Sequence, residues 1–470
     1  MFIKNRDSLQ SIYLIAICGT GMTALAGLLK SRGYDIKGSD QNVYPPMSTF
    51  LEELGVPVFK GFSESHLNPP PDLVVIGNAM SRGNPEVEAV LEKKLPYVSL
   101  PLALKEFFIR GHYSCVVAGT HGKTTASSLL AWLLEQADKD PSFFVAGLPE
   151  NFGRGFKLGS GEIFVLEGDE YDSAFFDKGA KFLHYLPDLV ILNNVEFDHA
   201  DIFRNFDDIE ITFSRLINLI PQNGYLISNW DDPVVKKLSA RTHSELISFG
   251  LTAEADWQAQ NISTDSAGSH FDVYRSQEFF GRFTTPLYGQ HMVKNCLGVM
   301  AASDVLGLNK DQIRESLMTF KGVQRRLQLI GEVRGIKVFD DFAHHPTAVK
   351  ATLAGLRDRF KQVRLWAIFE PRTATSKRKI FEEQYVQAFE AADRVVLTPL
   401  YKPEKVPEAE RLSVEKIARG LQKRNIQNWV LPANSQMLPW LQAQLAPGDV
   451  VVFMSNGDFN QIPKKLVTNL

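Results

Sequence analysis

Short apolar runs alternate with longer stretches of helical spacing along almost the whole chain. The runs lie at 12–18, 36–38, 73–77, 115–118, 143–146, 163–166, 189–192 and 225–228, and then at 337–339, 364–368, 394–397 and 450–453. They are continuously apolar rather than alternating, which predicts strands buried on both faces of parallel sheets, with helices as the crossovers. The expected class is therefore α/β. Segment 256–285 departs from this pattern. It is short-period and turn-rich, and predicts a small antiparallel insert. There is no internal repeat and no low-complexity tract.

A length of 470 residues suits about three domains. Three blocks emerge, at 1–108, 109–323 and 324–470, with no long Pro/Gly/Ser linker between them. The first opens on a glycine turn after a strand, as Rossmann-like folds do. The second opens on a phosphate-type loop and ends with the antiparallel insert. The third is again α/β and Rossmann-like.

Other totals narrow the picture a little. The net charge is −3 with no polybasic run, so electrostatics support neither nucleic-acid nor anionic-membrane binding. Cys18, Cys115 and Cys296 are widely spaced and odd in number, which excludes a disulfide framework or a zinc site and suits a reducing compartment. No apolar run approaches the roughly 20 residues of a membrane helix. Lys4 and Arg6 ahead of the run 12–18, with Ala24-Leu25-Ala26 beyond it, mimic a secretory leader. Gly19 and Gly21 interrupt that run where a nucleotide fold needs them, so the expectation is a cytoplasmic protein.

The strongest chemical signal is Gly119-Thr120-His121-Gly122-Lys123-Thr124-Thr125. It follows an apolar strand and opens a helix-compatible run at 126–135. Such a turn aims backbone N–H groups and a helix N-terminus at one spot, which favours a phosphate. Lys123 supplies a mobile positive charge for the β/γ-phosphates, and the Thr124 hydroxyl can reach Mg²⁺. The longer phosphate-loop pattern would need a glycine at 117, where Val117 stands.

A second turn, Gly19-Thr20-Gly21-Met22-Thr23-Ala24, fits the dinucleotide pattern, with Asp40 after the next strand as the acid for a ribose hydroxyl. Alone, it says only that a diphosphate can sit there. A nicotinamide oxidoreductase is one rival reading of the chain; a nucleotide sensor without catalysis is another. Two strands of the central block end in acids. One runs into Glu167, Asp169, Glu170 and Asp172, the other into Glu196, Asp198, His199 and Asp201. Ligands bind at such strand ends in open parallel sheets. Glu167 is the best single Mg²⁺ ligand and His199 a second ligand or hydrogen-bond partner. Asp169, Glu170 and Asp172 read as a solvated loop.

Together these residues resemble the Mur ligase family, the ATP-dependent amide-forming enzymes of peptidoglycan biosynthesis. The likeness rests on 119–125, Glu167 with its acidic follow-on, 194–199, 289–295, 322–326 and 340–345, and so spans essentially the whole chain. It implies an N-terminal domain for a uridine diphosphate sugar, a central P-loop ATPase and a C-terminal domain that brings the amino substrate. Two branches are similar. One joins L-alanine to UDP-N-acetylmuramate. The other, a recycling branch, joins the murein tripeptide L-alanyl-γ-D-glutamyl-meso-diaminopimelate to it. Segments 43–48, 168–177, 369–372 and 454–457 favour the recycling branch. Alanine-adding members usually carry Gln-Pro-His-Arg where this chain has Glu370-Pro371-Arg372-Thr373.

The resemblance assigns roles. Gly119, Thr120, His121, Gly122, Lys123, Thr124 and Thr125 would hold ATP; Thr124, Glu167 and His199 would hold Mg²⁺. Lys123, His199 and Arg326 would act in catalysis. Asn295 would lie against adenine, with Arg326 and Asp341 completing the nucleotide site. Gly19, Thr20, Gly21, Ser39 and Asp40 would hold uridine diphosphate. The tripeptide is rich in carboxylates, so its site should be basic, and Arg372 is the better fork among Arg372, Lys377, Arg378 and Lys379. Two departures stand out. Met292 replaces a family asparagine, and 209–216 lacks the lysine that several members carbamylate as a metal ligand.

Overall fold

The structure is a computed structural model that describes residues 8–45, 47–431 and 434–470. Lys4, Arg6 and Pro46 lie outside the described residues. Contacts group the chain into two compact units. One takes in the chain up to Val195, with Asp207–Trp257 and Gly298–Ser316; the other comprises Glu196–Phe206, Gln258–Leu297 and Leu317–Leu470.

The first unit holds an all-parallel sheet in the order Val58–Lys60, Asp35–Asp40, Ser11–Ile15, Leu73–Ile76, Tyr97–Ser99. Starting from the middle strand, the chain runs to one edge and then to the other, so a crevice opens beside Ser11–Ile15 at the strands' carboxyl ends. The same unit contains strands in the order Glu245–Gly250, Tyr225–Asn229, Leu189–Leu192, Tyr113–Ala118, Ile163–Gly168, Ser142–Phe144, Phe156–Lys157. All of these pair in parallel except the last two. Cys115–Ala118 and Leu189–Leu192 are fully buried, as strands covered on both faces must be.

In the second unit, Ser269–Arg275 and Glu278–Thr285 form an antiparallel pair after Trp257–Thr264, the small insert that the alternating pattern predicted. A further sheet runs Gln328–Val333, Ile336–Asp341, Val450–Met454, Leu365–Phe369, Arg394–Leu397, Gln427–Val430. Only its first pair is antiparallel. Its strand Leu365–Phe369 sends Leu365, Ala367 and Phe369 into one core and Trp366 and Ile368 into another, so the sheet is coated on both faces. The doubly covered α/β class is therefore what the chain adopts.

Two local expectations change. The apolar run 12–18 stops being a strand at Ile15. Ala16 takes a left-handed φ of +68°, and the Ala16 and Ile17 amides both donate to the Ser39 carbonyl, at 2.9 and 3.0 Å. The apolar residues continue, but the backbone has already turned. The pattern also missed Val58–Lys60, Glu245–Gly250, Gln328–Val333 and Gln427–Val430. These are partly exposed, largely at sheet edges, and lack a continuous apolar run.

Candidate active site

Strand Tyr113–Ala118 ends in a turn that two glycines make possible. Gly119 has a φ of +134°, and a β-carbon there would lie 3.0 Å from both the amide nitrogen and the carbonyl oxygen of Asn194. Gly122, with a φ of +83°, sits in the left-handed region and caps helix Lys123–Gln136. The helix start gathers the N–H groups of Lys123, Thr124 and Thr125 at one point. Thr120 and His121 differ from expectation. Their amides donate to the carbonyl and the side-chain oxygen of Asn194, at 2.9 and 2.7 Å, and the Asn194 amide returns a bond to the His121 carbonyl at 3.1 Å. Asn194 therefore braces the loop, a role visible only once Leu189–Leu192 is known to lie beside Tyr113–Ala118.

The acids after Ile163–Gly168 are not a solvated loop. Glu170 is buried and its two oxygens accept from Lys123 Nζ at 2.9 and 2.7 Å. Asp172 is buried and pairs with Lys178, and Asp169 pairs with Lys181. Sequence spacing hid these pairs because Lys178 arrives on the return strand of a hairpin, Asp172–Ala174 with Asp177–Ala180, Lys181 just after it, and Lys123 from another strand end. Burial works to discharge the Lys123 ammonium, but Glu170, Asp169 and Glu167 outweigh it and hold the group above its usual range. Glu167 lies beside the loop as expected. One oxygen accepts from Thr124 Oγ1 and the other from the Ala146 amide, both at 2.7 Å.

At the first glycine turn, Gly19 precedes helix Thr20–Ser31. Asp40 is partly exposed, and its carboxylate also holds the protein's own backbone. One of its oxygens accepts from the Cys18 amide at 3.0 Å and the other from Asn42 at 2.9 Å, so it fixes the turn. Ser39 is buried and donates to Glu86 at 2.5 Å. Glu86 is itself fully buried and also gathers Tyr13, the Ser63 amide and His66. Among these described side chains no lysine or arginine plays the part that Lys123 plays in the central turn.

The second unit carries the remaining assigned residues. Arg325, at a φ of +59°, donates to Asp340 at 3.1 Å and to the carbonyls of Ser455, Asn456 and Gly457. It clamps the loop after Val450–Met454. Arg326 lies over the Phe342 ring at 4.7 Å. Asp341 is buried and accepts from the Leu327 and Ala343 amides and from Thr352. Burial raises its carboxyl above the usual range, against the pull of Arg326. Asn295 is buried on helix Gln290–Val305, and its amide points at the Met292 sulfur at 3.8 Å, so Met292 packs where the family asparagine would stand. Arg372 stacks on Tyr401 at 3.7 Å and approaches Glu370 at 3.4 Å. Lys377 is buried, and burial, reinforced by Lys405, Arg378 and Arg372, lowers its ammonium below the usual range. His199 has a left-handed φ of +55° on segment Glu196–Phe206. Beside it, burial would raise Asp198, yet His344, His199 and Thr375 hold it well below the carboxylate range. Lys123, Thr124 and Glu167 are thus gathered in the first unit; His199, Asn295, Arg326, Asp341 and Arg372 lie in the second.

The sequence profile of the Mur ligase family catalytic domain matches residues 11–112, that of the Mur ligase middle domain 117–303, and that of the Mur ligase glutamate ligase domain 325–457. This chain belongs to the Mur ligase family. Among its Mur ligase relatives is the UDP-N-acetylmuramate–L-alanyl-γ-D-glutamyl-meso-2,6-diaminoheptandioate ligase of Escherichia coli, 41% identical over 98% of both chains. A UDP-N-acetylmuramate–L-alanine ligase from Anaeromyxobacter is 33% identical over 98% of both. The crystal structure of a murein peptide ligase from Psychrobacter arcticus superposes with a TM-score of 0.73 at 35% identity, covering 98% of this chain and 99% of that one. No helix among the described residues is long and apolar enough to cross a membrane.

Proposed function

We propose that this chain is an ATP-dependent ligase that joins the amine of L-alanyl-γ-D-glutamyl-meso-diaminopimelate to the lactyl carboxylate of UDP-N-acetylmuramate, releasing ADP and phosphate, in cytoplasmic recycling of peptidoglycan. The observation that carries the choice of acceptor is the 41% identity over 98% of the chain to the tripeptide-adding relative, against 33% for an alanine-adding one. In this reading residues 1–108 bind the uridine diphosphate sugar, 109–323 bind ATP and 324–470 bring the tripeptide.

A carboxylate has too poor a leaving group to acylate an amine in neutral water. Attack of the lactyl carboxylate on the γ-phosphate breaks the β–γ bridge, expels ADP and leaves an acyl phosphate. The tripeptide amine then attacks the acyl carbon, and the tetrahedral intermediate collapses to an amide and inorganic phosphate, with loss of the amine proton. Lys123 and the N–H groups at the start of Lys123–Gln136 stabilise the charge that spreads over the transferring phosphoryl group. Glu170 holds Lys123 charged and aimed until the triphosphate takes its place. Thr124 Oγ1 and Glu167 Oε1 are hard oxygen donors 2.7 Å apart, which suits them to Mg²⁺, with His199 as a further ligand. Held there, the ion would supply positive charge against the phosphates. Arg326 and Asp341 complete the nucleotide site, Asn295 serves the adenine, and Arg372 takes a tripeptide carboxylate, exchanging its contact with Glu370. Water would destroy the acyl phosphate, so closure of the C-terminal domain over the nucleotide is part of the reaction.

The test is product mass after incubating purified protein with ATP, UDP-N-acetylmuramate and either L-alanine or the tripeptide. The expected product is the tripeptide adduct. Phosphate release driven by alanine alone would replace this acceptor with alanine.

A further inference from the structure

We infer that the segment carrying His199 is latched to the turn at 372–376 through Thr375, and to His344 through Asp198, so that seating the tripeptide and gripping the metal ion are one coupled event. This rests on the ligase reading above. Both neighbours of His199 in the chain are held from outside their own segment. On one side, the Ala200 amide donates to Thr375 Oγ1 at 3.1 Å. On the other, Asp198 Oδ2 lies 3.5 Å from His344 Nε2. A third tie joins Glu196 to His345 at 3.2 Å. All these residues belong to the second unit.

The latch is built of buried polar groups. Asp198 is 4% exposed and Thr375 2%. Such groups must keep their hydrogen-bond partners, so the segment has few alternative positions while its partners stay in place. The partners are themselves fixed. His344 Nδ1 donates to the Phe342 carbonyl at 2.9 Å, and the His344 carbonyl accepts from the fully buried Tyr385 hydroxyl. Thr375 rides on a tight turn in which the amides of Arg372 and Thr373 donate to Ser376 Oγ, at 3.0 and 2.9 Å, and the Ser376 amide donates to Thr373 Oγ1 at 3.0 Å. That turn begins at Arg372, which the ligase reading gives to a tripeptide carboxylate, and runs into Lys377. A carboxylate that draws on Arg372 therefore moves, or fixes, a rigid turn whose Thr375 holds the residue next to His199. Coupling of this kind is reciprocal: whatever the tripeptide does to metal affinity, the metal does to tripeptide affinity.

Mn²⁺, read by electron paramagnetic resonance, tests this without turnover. It is titrated into full-length protein holding adenylyl imidodiphosphate and UDP-N-acetylmuramate, with and without the tripeptide. The tripeptide is expected to tighten Mn²⁺ binding about fivefold or more. Thr375→Val keeps the shape, removes the oxygen acceptor and should bring that factor towards one. Thr375→Ser keeps the acceptor and should retain it. His344→Gln, which loosens the other arm, should lower it as well. A factor of one in the unaltered protein, or an undiminished factor in both Thr375→Val and His344→Gln, overturns the latch. The ligase reading survives either result, because it is judged by amide product; a protein that binds no tripeptide overturns both.

Discussion

Two glycine turns in this chain follow the same plan, a parallel strand running through glycines into a helix, and they differ in what surrounds them. At Gly19–Gly21 the nearby polar side chains bond the protein itself: Asp40 takes the Cys18 and Asn42 amides, and Ser39 donates to the buried Glu86 carboxylate. At Gly119–Thr125 the neighbours carry reactive chemistry. Lys123 is held charged by Glu170, and Thr124 and Glu167 set two oxygens 2.7 Å apart. A glycine turn on its own offers N–H groups and a helix dipole, which are enough to hold a diphosphate. Moving a phosphoryl group needs fixed positive charge where negative charge develops. We therefore assign substrate binding to the first turn and catalysis to the second.

Removing divalent cations with a chelator should separate the turns most widely. Turnover should fall roughly 10³-fold or more, since a metal supplies several kcal/mol of charge stabilisation. Binding of UDP-N-acetylmuramate, followed by calorimetry, should persist; if it vanishes too, the first turn also depends on the ion. Next, Lys123→Ala should lower turnover roughly 10²-fold or more with the sugar nucleotide still bound. Unchanged turnover would remove the chief distinction between the turns. Third, Gly122→Ala forces a left-handed side chain and should cost about 1–2 kcal/mol in chemical denaturation. Gly19→Ala should cost much less, because Gly19 has an ordinary extended backbone and a β-carbon there would meet nothing nearer than 3.6 Å. Equal losses would mean that the turns are strained alike. The smallest effect is expected of Ser39→Ala, a roughly 2–10-fold rise in the KM for UDP-N-acetylmuramate at unchanged kcat.

Both turns could be read from the chain because local order writes them: an apolar run, glycines, then helical spacing. The parallel sheets were legible for the same reason, since doubly buried strands such as Leu189–Leu192 are apolar throughout. What stayed hidden depends on which strand lies beside which. Asn194 braces Thr120 and His121 across more than seventy residues, and nothing in its own neighbourhood announces that partner. Glu170 looked solvated because its cation, Lys123, comes from another strand end. Asp40 was found by its spacing from Gly19, which fits the dinucleotide pattern, but that spacing did not show that its oxygens also serve the Cys18 and Asn42 amides. Edge strands such as Val58–Lys60 were missed because exposure removes the apolar signature that marks a central strand.

The central claim is that the triphosphate held at Gly119–Thr125 converts the sugar's carboxylate into an acyl phosphate before the amine arrives. Label transfer tests it most directly. UDP-N-acetylmuramate carrying heavy oxygen in its lactyl carboxylate is turned over with ATP and the tripeptide, and the released phosphate is analysed by mass. The account predicts that each phosphate carries one heavy oxygen taken from the carboxylate. Unlabelled phosphate, formed alongside a normal yield of amide, would contradict it.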